Sequence, residues 1–355
     1  MTKRQGQMLT IKDVATLAGV TPMTVSNVLR ERGRVGADTR RRVLDAVAAC
    51  GYRPNLTARA LVERRAPTLA LLVSCITNPF YPEFTLLANN AARRHGRFLL
   101  ICNTDHEADG GTRFLADVAG SLSDGILVTN SGELQIDELL AVQAAGVPVV
   151  ISVWETPDAL PDIPCITFDA RMAGQIATEH LLELGHRRIG AVVASAAGGI
   201  HNSRYVGHCD ALRAAQLAPQ LDHVHFCSDT YQGGYDAAHA LLSARPELTA
   251  VFVSNDLPAL GVLNAAAALG RDVPGDLSVV GITDIAPASQ SRPALTTVAI
   301  PTAEMAEQGV MLLLRLIAAP DAQPRVIHTA RPTLVRRAST AAPTPALSDG
   351  PARQH

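Results

Sequence analysis

The stretch TPMTVSN at residues 21–27 puts hydroxyls, an amide and two exposed-type apolar side chains close together. Thr21 can cap a helix, and Pro22 suits its first position, where a missing N–H costs nothing. Val25, Val28 and Leu29 then form an apolar stripe, leaving Pro22, Met23, Ser26, Asn27 and Arg30 on the other side. Those residue types suit a nucleic-acid surface. The hydroxyls of Thr21, Thr24 and Ser26 fit phosphate oxygens, which fix register without reading sequence. Asn27 can pair with adenine through N6 and N7, whereas Met23 and Pro22 can only touch edges such as a thymine methyl. Arg30 lies past this reading face, where it can reach backbone phosphates.

Other chemistry is poorly supplied. GxGxxG, Walker A, HExxH and GxSxG patterns are absent, so neither a cofactor nor an enzymatic activity is expected. The six cysteines, Cys50, Cys75, Cys102, Cys165, Cys209 and Cys227, contain no CxxC pair and read as reduced, mostly buried residues. His223 and His225 alternate on a possible strand, a pattern that suits a solvent-facing edge better than a metal site. No metal is expected.

Charge separates the chain into two parts. Residues 1–65 hold thirteen Lys and Arg against five Asp and Glu, a net of +8. The remainder holds 18 against 28, a net of −10. A small basic head on a large acidic body is expected to meet a polyanion. Residues 1–14 lack an apolar signal region and no segment approaches a membrane span, so the expectation is a cytoplasmic protein without a membrane partner.

The elements that must position the reading face follow from periodicity. A short helix is expected over 10–18, with Thr10 and Asp13 at capping-box spacing and Val14 with Leu17 or Ala18 facing inward. A tight turn at 18–20 leads into the second helix. A third spans about 37–50, with Val43, Leu44, Val47 and Ala48 as its apolar side and Gly51 as its stop. Residues 52–68 read as a hinge containing a helix too short to be stable alone in water. From Leu69 onward, apolar runs such as LALLVS, FLLICN, VPVVIS, AVFVSN and LSVVGI alternate with helical stretches, for example 171–184, 203–216 and 256–269. That alternation predicts parallel sheets covered by helices, in two lobes, with a ligand beyond the strands' carboxyl ends.

The motifs LTIKDVATLAGVTPMTVSNVL, GYRPNLTARAL, ITNPFYPEF, SDGILV, GHRRIG, VSNDLPALG, DVPGDLSVVGI and RPALTTV occur in the order of the lactose/galactose-repressor family, which the chain resembles over about residues 9–337. The resemblance implies an all-α helix-turn-helix headpiece (1–52), a hinge (53–66) and an α/β two-lobed core (67–337). That core is similar to periplasmic sugar-binding proteins, with parallel sheets flanked by helices. Lobe 1 is expected at about 67–168 and 300–327, lobe 2 at about 169–298 and 328–337, and a disordered tail at 338–355. Implied partners are double-stranded, near-palindromic operator DNA, a second copy of the chain, and a small effector between the lobes. The implied activity is a transcriptional repressor controlled by that effector. The competing reading, a sugar-binding receptor without a DNA role, leaves the basic head unexplained.

By resemblance, helix 21–30 enters the major groove, Leu61 wedges into the minor groove at the operator centre, and Ala58 and Arg59 lie along it. The implied effector contacts are Phe80 and Tyr81 as aromatic walls, Arg204 as a bidentate partner for effector oxygens, and Asn255 with Asp256 capping the next helix. Trp154, the only tryptophan, reads equally as a cleft aromatic or as lobe-interface packing. Where many members read Gly-aromatic-Asp-Asp, this chain has GITDI: Thr283 replaces the first Asp and Asp284 keeps the second. The missing carboxylate raises the prospect of an acidic effector, a sugar acid or phosphate. Leu61→Ala is expected to lower operator affinity at least about tenfold, because the wedge offsets the few kcal/mol needed to unstack a base step. Unchanged affinity in a gel shift would remove the wedge.

Overall fold

The structure is a computed structural model. It describes residues 10–29, 33–52, 67–104, 119–129, 136–155, 160–195, 201–319 and 325–344. The chain divides into two units, residues 1–66 and 67–355.

In the first unit, α1 spans Ile11–Ala18, α2 Pro22–Leu29 and α3 Ala37–Cys50. The Asp13 carboxylate accepts from the Thr10 N–H and hydroxyl, both at 2.7 Å, which ties down the start of α1. Gly19 ends it at φ 63°, a left-handed conformation in which a Cβ is costly. Thr21 Oγ1 accepts from the Thr24 N–H at 3.2 Å and so caps α2. The core is Val14, Ala15, Ala18, Val25, Val28, Val43 and Ala46. Of the two candidates on α1, Ala18 is buried and Leu17 is 59% exposed; one expectation changes, since on α3 Ala46 turns inward while Leu44 and Ala48 face solvent. With helices this short, a small residue fits the close approach that a leucine would prevent.

The second unit contains two six-stranded sheets. The first has the order β11-β5-β4-β3-β1-β2, all parallel. Its strands are β1 Thr68–Val73, β2 Phe98–Asn103, β3 Ile126–Val128, β4 Val149–Trp154, β5 Cys165–Thr167 and β11 Val326–His328. The second has the order β12-β10-β9-β8-β6-β7. It comprises β6 Ile189–Val193, β7 Val224–Phe226, β8 Ala250–Val253, β9 Ser278–Thr283, β10 Thr296–Ala299 and the antiparallel edge β12 Thr333–Val335. The central strands are continuous apolar runs because helices cover both faces. The chain passes from the first sheet to the second after β5, back after β10, and across again after β11, whose last residue His328 lies one position beyond the expected boundary.

The helices on the described segments are α4 Phe80–Arg94, α5 Ile136–Ala144, α6 Ala170–Glu183, α7 Asn202–Ala214, α8 Tyr231–Ala244, α9 Asp256–Ala268, α10 Ala286–Gln290 and α11 Thr302–Ala318. In the second lobe they pack in pairs through glycines. A Cβ on Gly174 of α6 would fall 1.8 Å from the Arg204 carbonyl oxygen, and one on Gly207 of α7 would fall 1.9 Å from the Arg171 carbonyl oxygen. The same reciprocal contact joins α8 and α9.

Residues 338–344, expected in a disordered tail, instead belong to the second lobe. Ser339 is buried; its hydroxyl donates to the Val279 carbonyl at 2.6 Å and accepts from the Thr296 N–H at 2.8 Å. His186 lies within 3.0 Å of Ser278 Oγ and 2.8 Å of the Ala341 carbonyl. The small polar composition that suggested disorder supplies hydroxyls that complete buried backbone hydrogen bonds. Residues 345–355 lie outside the described residues.

Gly207→Ala is expected to force α6 and α7 apart. Overpacking of this kind costs about 1–3 kcal/mol, which thermal or urea denaturation will read as a lowered midpoint. An unchanged midpoint would mean that the helices part freely.

Candidate functional site

The cleft between the two sheets of the core is lined from both sides. The first lobe contributes Asn78, Phe80, Tyr81, Thr129, Val153 and Glu155, and the second His201, Arg204, Asp229, Asn255 and Thr283, with Ile300 at a crossing strand. It holds about 380 Å³ of space between protein atoms, counted out to its mouth. Nearly all these residues sit just past a strand or at the first turn of the next helix, where parallel α/β sheets place ligands.

The second lobe's half is organised by Asp256. Asn255, at φ −149° and ψ 150°, is the N-cap of α9, its side chain accepting from the Asp256 N–H at 3.0 Å. Asn255 therefore both lines the cleft and caps the helix, the cap having been expected of Asp256. Fully buried, Asp256 accepts from the N–H groups of Asp284 (2.7 Å) and Ile285 (3.1 Å) and from the Thr297 hydroxyl (2.6 Å). This pins a turn in which Thr283 has φ 135° and Asp284 φ 64°. Such conformations cost about 1–3 kcal/mol each outside glycine, and the Asp256 hydrogen bonds hold them. A Cβ on Gly281 would stand 2.1 Å from Asp256 Oδ1, so the carboxylate needs glycine opposite it.

Thr283, thus oriented, donates to Asn255 Oδ1 at 2.7 Å, and Asn255 Nδ2 donates to Asp229 at 2.7 Å. Asp229 also accepts from Asn78 Nδ2 of the first lobe at 3.1 Å. A carboxylate thus stands beside Asn255 in the cleft, from three residues beyond β7 and not from position 283. Burial alone would raise Asp229, but His201, Asn255 and Arg204 outweigh it and hold the carboxyl below its ordinary range.

Arg204, 3% exposed, forms a two-pronged ion pair with Glu155 of the first lobe, through Nε at 3.1 Å and through its second terminal nitrogen. Its remaining terminal nitrogen donates to the Ser254 carbonyl at 2.8 Å. The fork expected to hold effector oxygens is occupied by the chain's own carboxylate, which bridges the cleft.

The structure brings together Phe80, Tyr81, Arg204, Asn255 and Thr283 of the expected effector contacts, and it separates two others. Trp154 packs into the first lobe's apolar cluster while its neighbours Val153 and Glu155 line the cleft, as strand alternation requires. Asp284 turns from the cleft to Arg337 at 2.5 Å. Glu155, Asp229, His201 and Asn78 were missed. Glu155 follows Trp154 and Asn78 lies within ITNPFYPEF, so both carry a positional signal. His201 lies one helical turn before Arg204. Asp229 follows a three-residue strand with no apolar run to announce it.

On the headpiece, Pro22 and Met23 are exposed, Met23 at 70%, and Ser26 and Asn27 are partly exposed, opposite the buried Val25 and Val28. Thr21 caps α2, so its hydroxyl already has a structural task. Arg30, Ala58, Arg59 and Leu61 lie outside the described residues.

Comparison with known proteins decides the family. Residues 10–55 match the bacterial regulatory proteins of the lacI family, and residues 178–340 match a periplasmic binding protein-like domain. The HTH-type transcriptional repressor PurR of Mannheimia succiniciproducens is 32% identical over 332 residues, covering 94% of this chain and 98% of that protein. The chain belongs to the LacI family. Like its relatives in that family it is a DNA-binding transcriptional regulator, and not an enzyme. The transcriptional regulator CelR in complex with cellobiose is 30% identical, with a TM-score of 0.67 over 93% of this chain and 99% of that one. The Lac repressor dimer bound to operator and the anti-inducer ONPF shares the LacI-family fold at a TM-score of 0.82 and 24% identity, over 95% of this chain and all of that one. No helix among the described residues is long and apolar enough to cross a membrane.

Burial raises the Asp256 carboxyl to about 6, against the hydrogen bonds from Thr297, Ile285 and Asp284. A carboxyl raised on folding binds its proton more tightly folded than unfolded. Its effect on stability is most favourable below about pH 4 and declines as pH rises to about 6, by on the order of 3 kcal/mol. Asp256→Asn keeps an acceptor for the two N–H groups and a donor for Thr297. The variant is expected to lose less stability than wild type between pH 4 and pH 6 in thermal denaturation. Parallel pH profiles would contradict the raised value.

Proposed function

We propose that the chain represses transcription as a homodimer on a near-palindromic operator and that a non-acidic, hydroxyl-rich metabolite in the interlobe cleft sets its DNA affinity. Pro22, Met23 and Asn27 read base edges; Thr24, Ser26 and Arg30 bind phosphates, with Thr21 both capping and contacting. Ala58, Arg59 and Leu61 engage the minor groove. The residues from 53 to 66 form the hinge through which lobe movement reaches the headpiece.

The observation that carries the effector class is the charge of the cleft. Glu155 and Asp229 line it, and the guanidinium of Arg204 is already paired. An added anion about 4 Å from Asp229 would be repelled by about 4 kcal/mol at an effective dielectric of about 20, whereas the charge of Glu155 is balanced by Arg204. This weighs against the sugar acid suggested by Thr283 alone. Phe80 offers an apolar edge to a ring, and Asn78, Asn255 and the carboxylates offer partners for its hydroxyls. The related regulator in complex with cellobiose supports a neutral carbohydrate.

The test is a thermal-shift panel of glucose, galactose, ribose and cellobiose against gluconate and glucose 6-phosphate. Each hit is followed by its effect on binding to operator selected from a random duplex pool. Neutral compounds are expected to raise the melting temperature by mass action and to change operator affinity. A preference for the acids, or ligand binding without any effect on DNA, would overturn the reading.

A further inference from the structure

The Glu155 carboxylate does in the cleft what the carboxylate of an acidic ligand would do. Both of its oxygens are used, Oε2 by Arg204 Nε at 3.1 Å and Oε1 by the second terminal nitrogen. That is the parallel two-bond geometry in which a guanidinium binds a free carboxylate. The pair is nearly closed to water, the Arg204 side chain being 3% exposed and that of Glu155 14%.

The two partners are held unequally. The guanidinium is fixed by contacts that owe nothing to Glu155. Its remaining terminal nitrogen donates to the Ser254 carbonyl at 2.8 Å and to the Thr283 hydroxyl at 3.4 Å, and its central carbon lies 5.9 Å from the centroid of the Phe168 ring. Glu155 has no such support. Among the described residues, Arg204 is the only hydrogen-bond donor to its carboxylate. Glu155 stands immediately after β4 in the first lobe, whereas the fork belongs to α7 in the second. The fork is thus a preorganised carboxylate site whose occupant comes from the chain itself.

This occupancy discriminates by charge. Among the described lining residues Arg204 is the only lysine or arginine, and the His201 ring is shared between Asp229 at 3.7 Å and Glu155 at 3.9 Å. A sugar acid that took the fork would leave two carboxylates with at most one cation, in either protonation state of that ring. Little water reaches the site to solvate the displaced charge. The exchange also replaces one carboxylate with another and gains no stronger bond. The resident carboxylate is tethered, so it competes at a high effective concentration. A neutral ligand avoids the contest, because its hydroxyls can donate to the remaining lone pairs of Glu155 and Asp229 and leave the ion pair intact.

Resting on the reading of the cleft as the site of a non-acidic effector, we propose that Glu155 is a specificity-determining residue, a tethered carboxylate that fills the fork of Arg204 and so excludes sugar acids.

Two measurements on the full chain test this. Calorimetry pairs glucuronate with glucose and galacturonate with galactose, and reads the ratio of acid to parent affinity. In Glu155→Ala the fork is vacant, and for a pair whose neutral member binds, that ratio is expected to rise about tenfold or more over wild type, a difference of about 1.4 kcal/mol. Glu155→Gln, which keeps the shape and loses the charge, is expected to raise it less. An ion pair that merely held the lobes together would change both affinities alike and leave the ratio where it was. The second measurement needs no effector. Acetate is expected to raise the melting temperature of Glu155→Ala above its value in chloride of equal ionic strength, and to leave wild type unchanged; the same melts show that each variant folds. An unchanged ratio, or no effect of acetate on Glu155→Ala, overturns the exclusion, while a wild-type preference for neutral sugars keeps the effector reading. Wild type that binds acid and parent alike overturns both, and so does a chain that binds no sugar at all.

Discussion

The effector half of the molecule depends on one buried carboxylate. Asp256 sits at the first turn of α9, out of water, and accepts three hydrogen bonds that converge from the β9–α10 turn and from β10. It holds Thr283 and Asp284 at positive φ, which fixes Thr283 towards Asn255 and so towards Asp229 at the end of β7. Asp256 does not itself line the cleft, yet the turn that aims Thr283 into it depends on this anchor. Its raised carboxyl shows the cost of the arrangement: burial opposes the charge, and the three donors offset only part of the penalty.

A second constraint acts on spacing. Gly174 and Gly207 let α6 and α7 meet backbone to backbone, which brings Arg204 into the cleft from the first turn of α7. Arg204 and Glu155 then join the lobes, as do Asn78 and Asp229. The closed cleft is held by the same polar groups that a ligand must address. A ligand that displaced these bridges would exchange partners across the lobes, and an exchange of that kind can bias an open–closed equilibrium.

Much of this was legible in order along the chain. The helix-turn-helix unit, the alternation of apolar runs with helices, and the residues Phe80, Tyr81, Arg204, Asn255 and Thr283 all follow from local patterns and motif order. The errors share a cause. Leu44 and Ala48 read as core because helical periodicity ranks hydrophobicity, whereas the packing of α3 against its neighbours buries Ala46. Asn255 and Asp256 are equally good caps by type, and only the extended backbone at Asn255 separates them. Trp154 and Glu155 are adjacent, and strand alternation sends one inward and the other to the cleft. The polar segment 338–344 resembles a tail until the sheet that needs its hydrogen bonds is present.

The sequence alone determined the family, from the order of motifs along the chain, and the two-part division of charge, from composition; the type and order of the secondary elements and the uncharged exposed face of α2 rest on residue types and spacings within about twenty positions. Tertiary structure decided which polar groups meet. Asp229 and Asn78 are separated by 151 residues, and Arg204 and Glu155 by 49, yet they form the bridges of one cleft. No local pattern encodes such pairings. They arise because parallel strands bring their carboxyl ends to one edge of each sheet, and because the chain crosses between the sheets three times so that the two edges face each other.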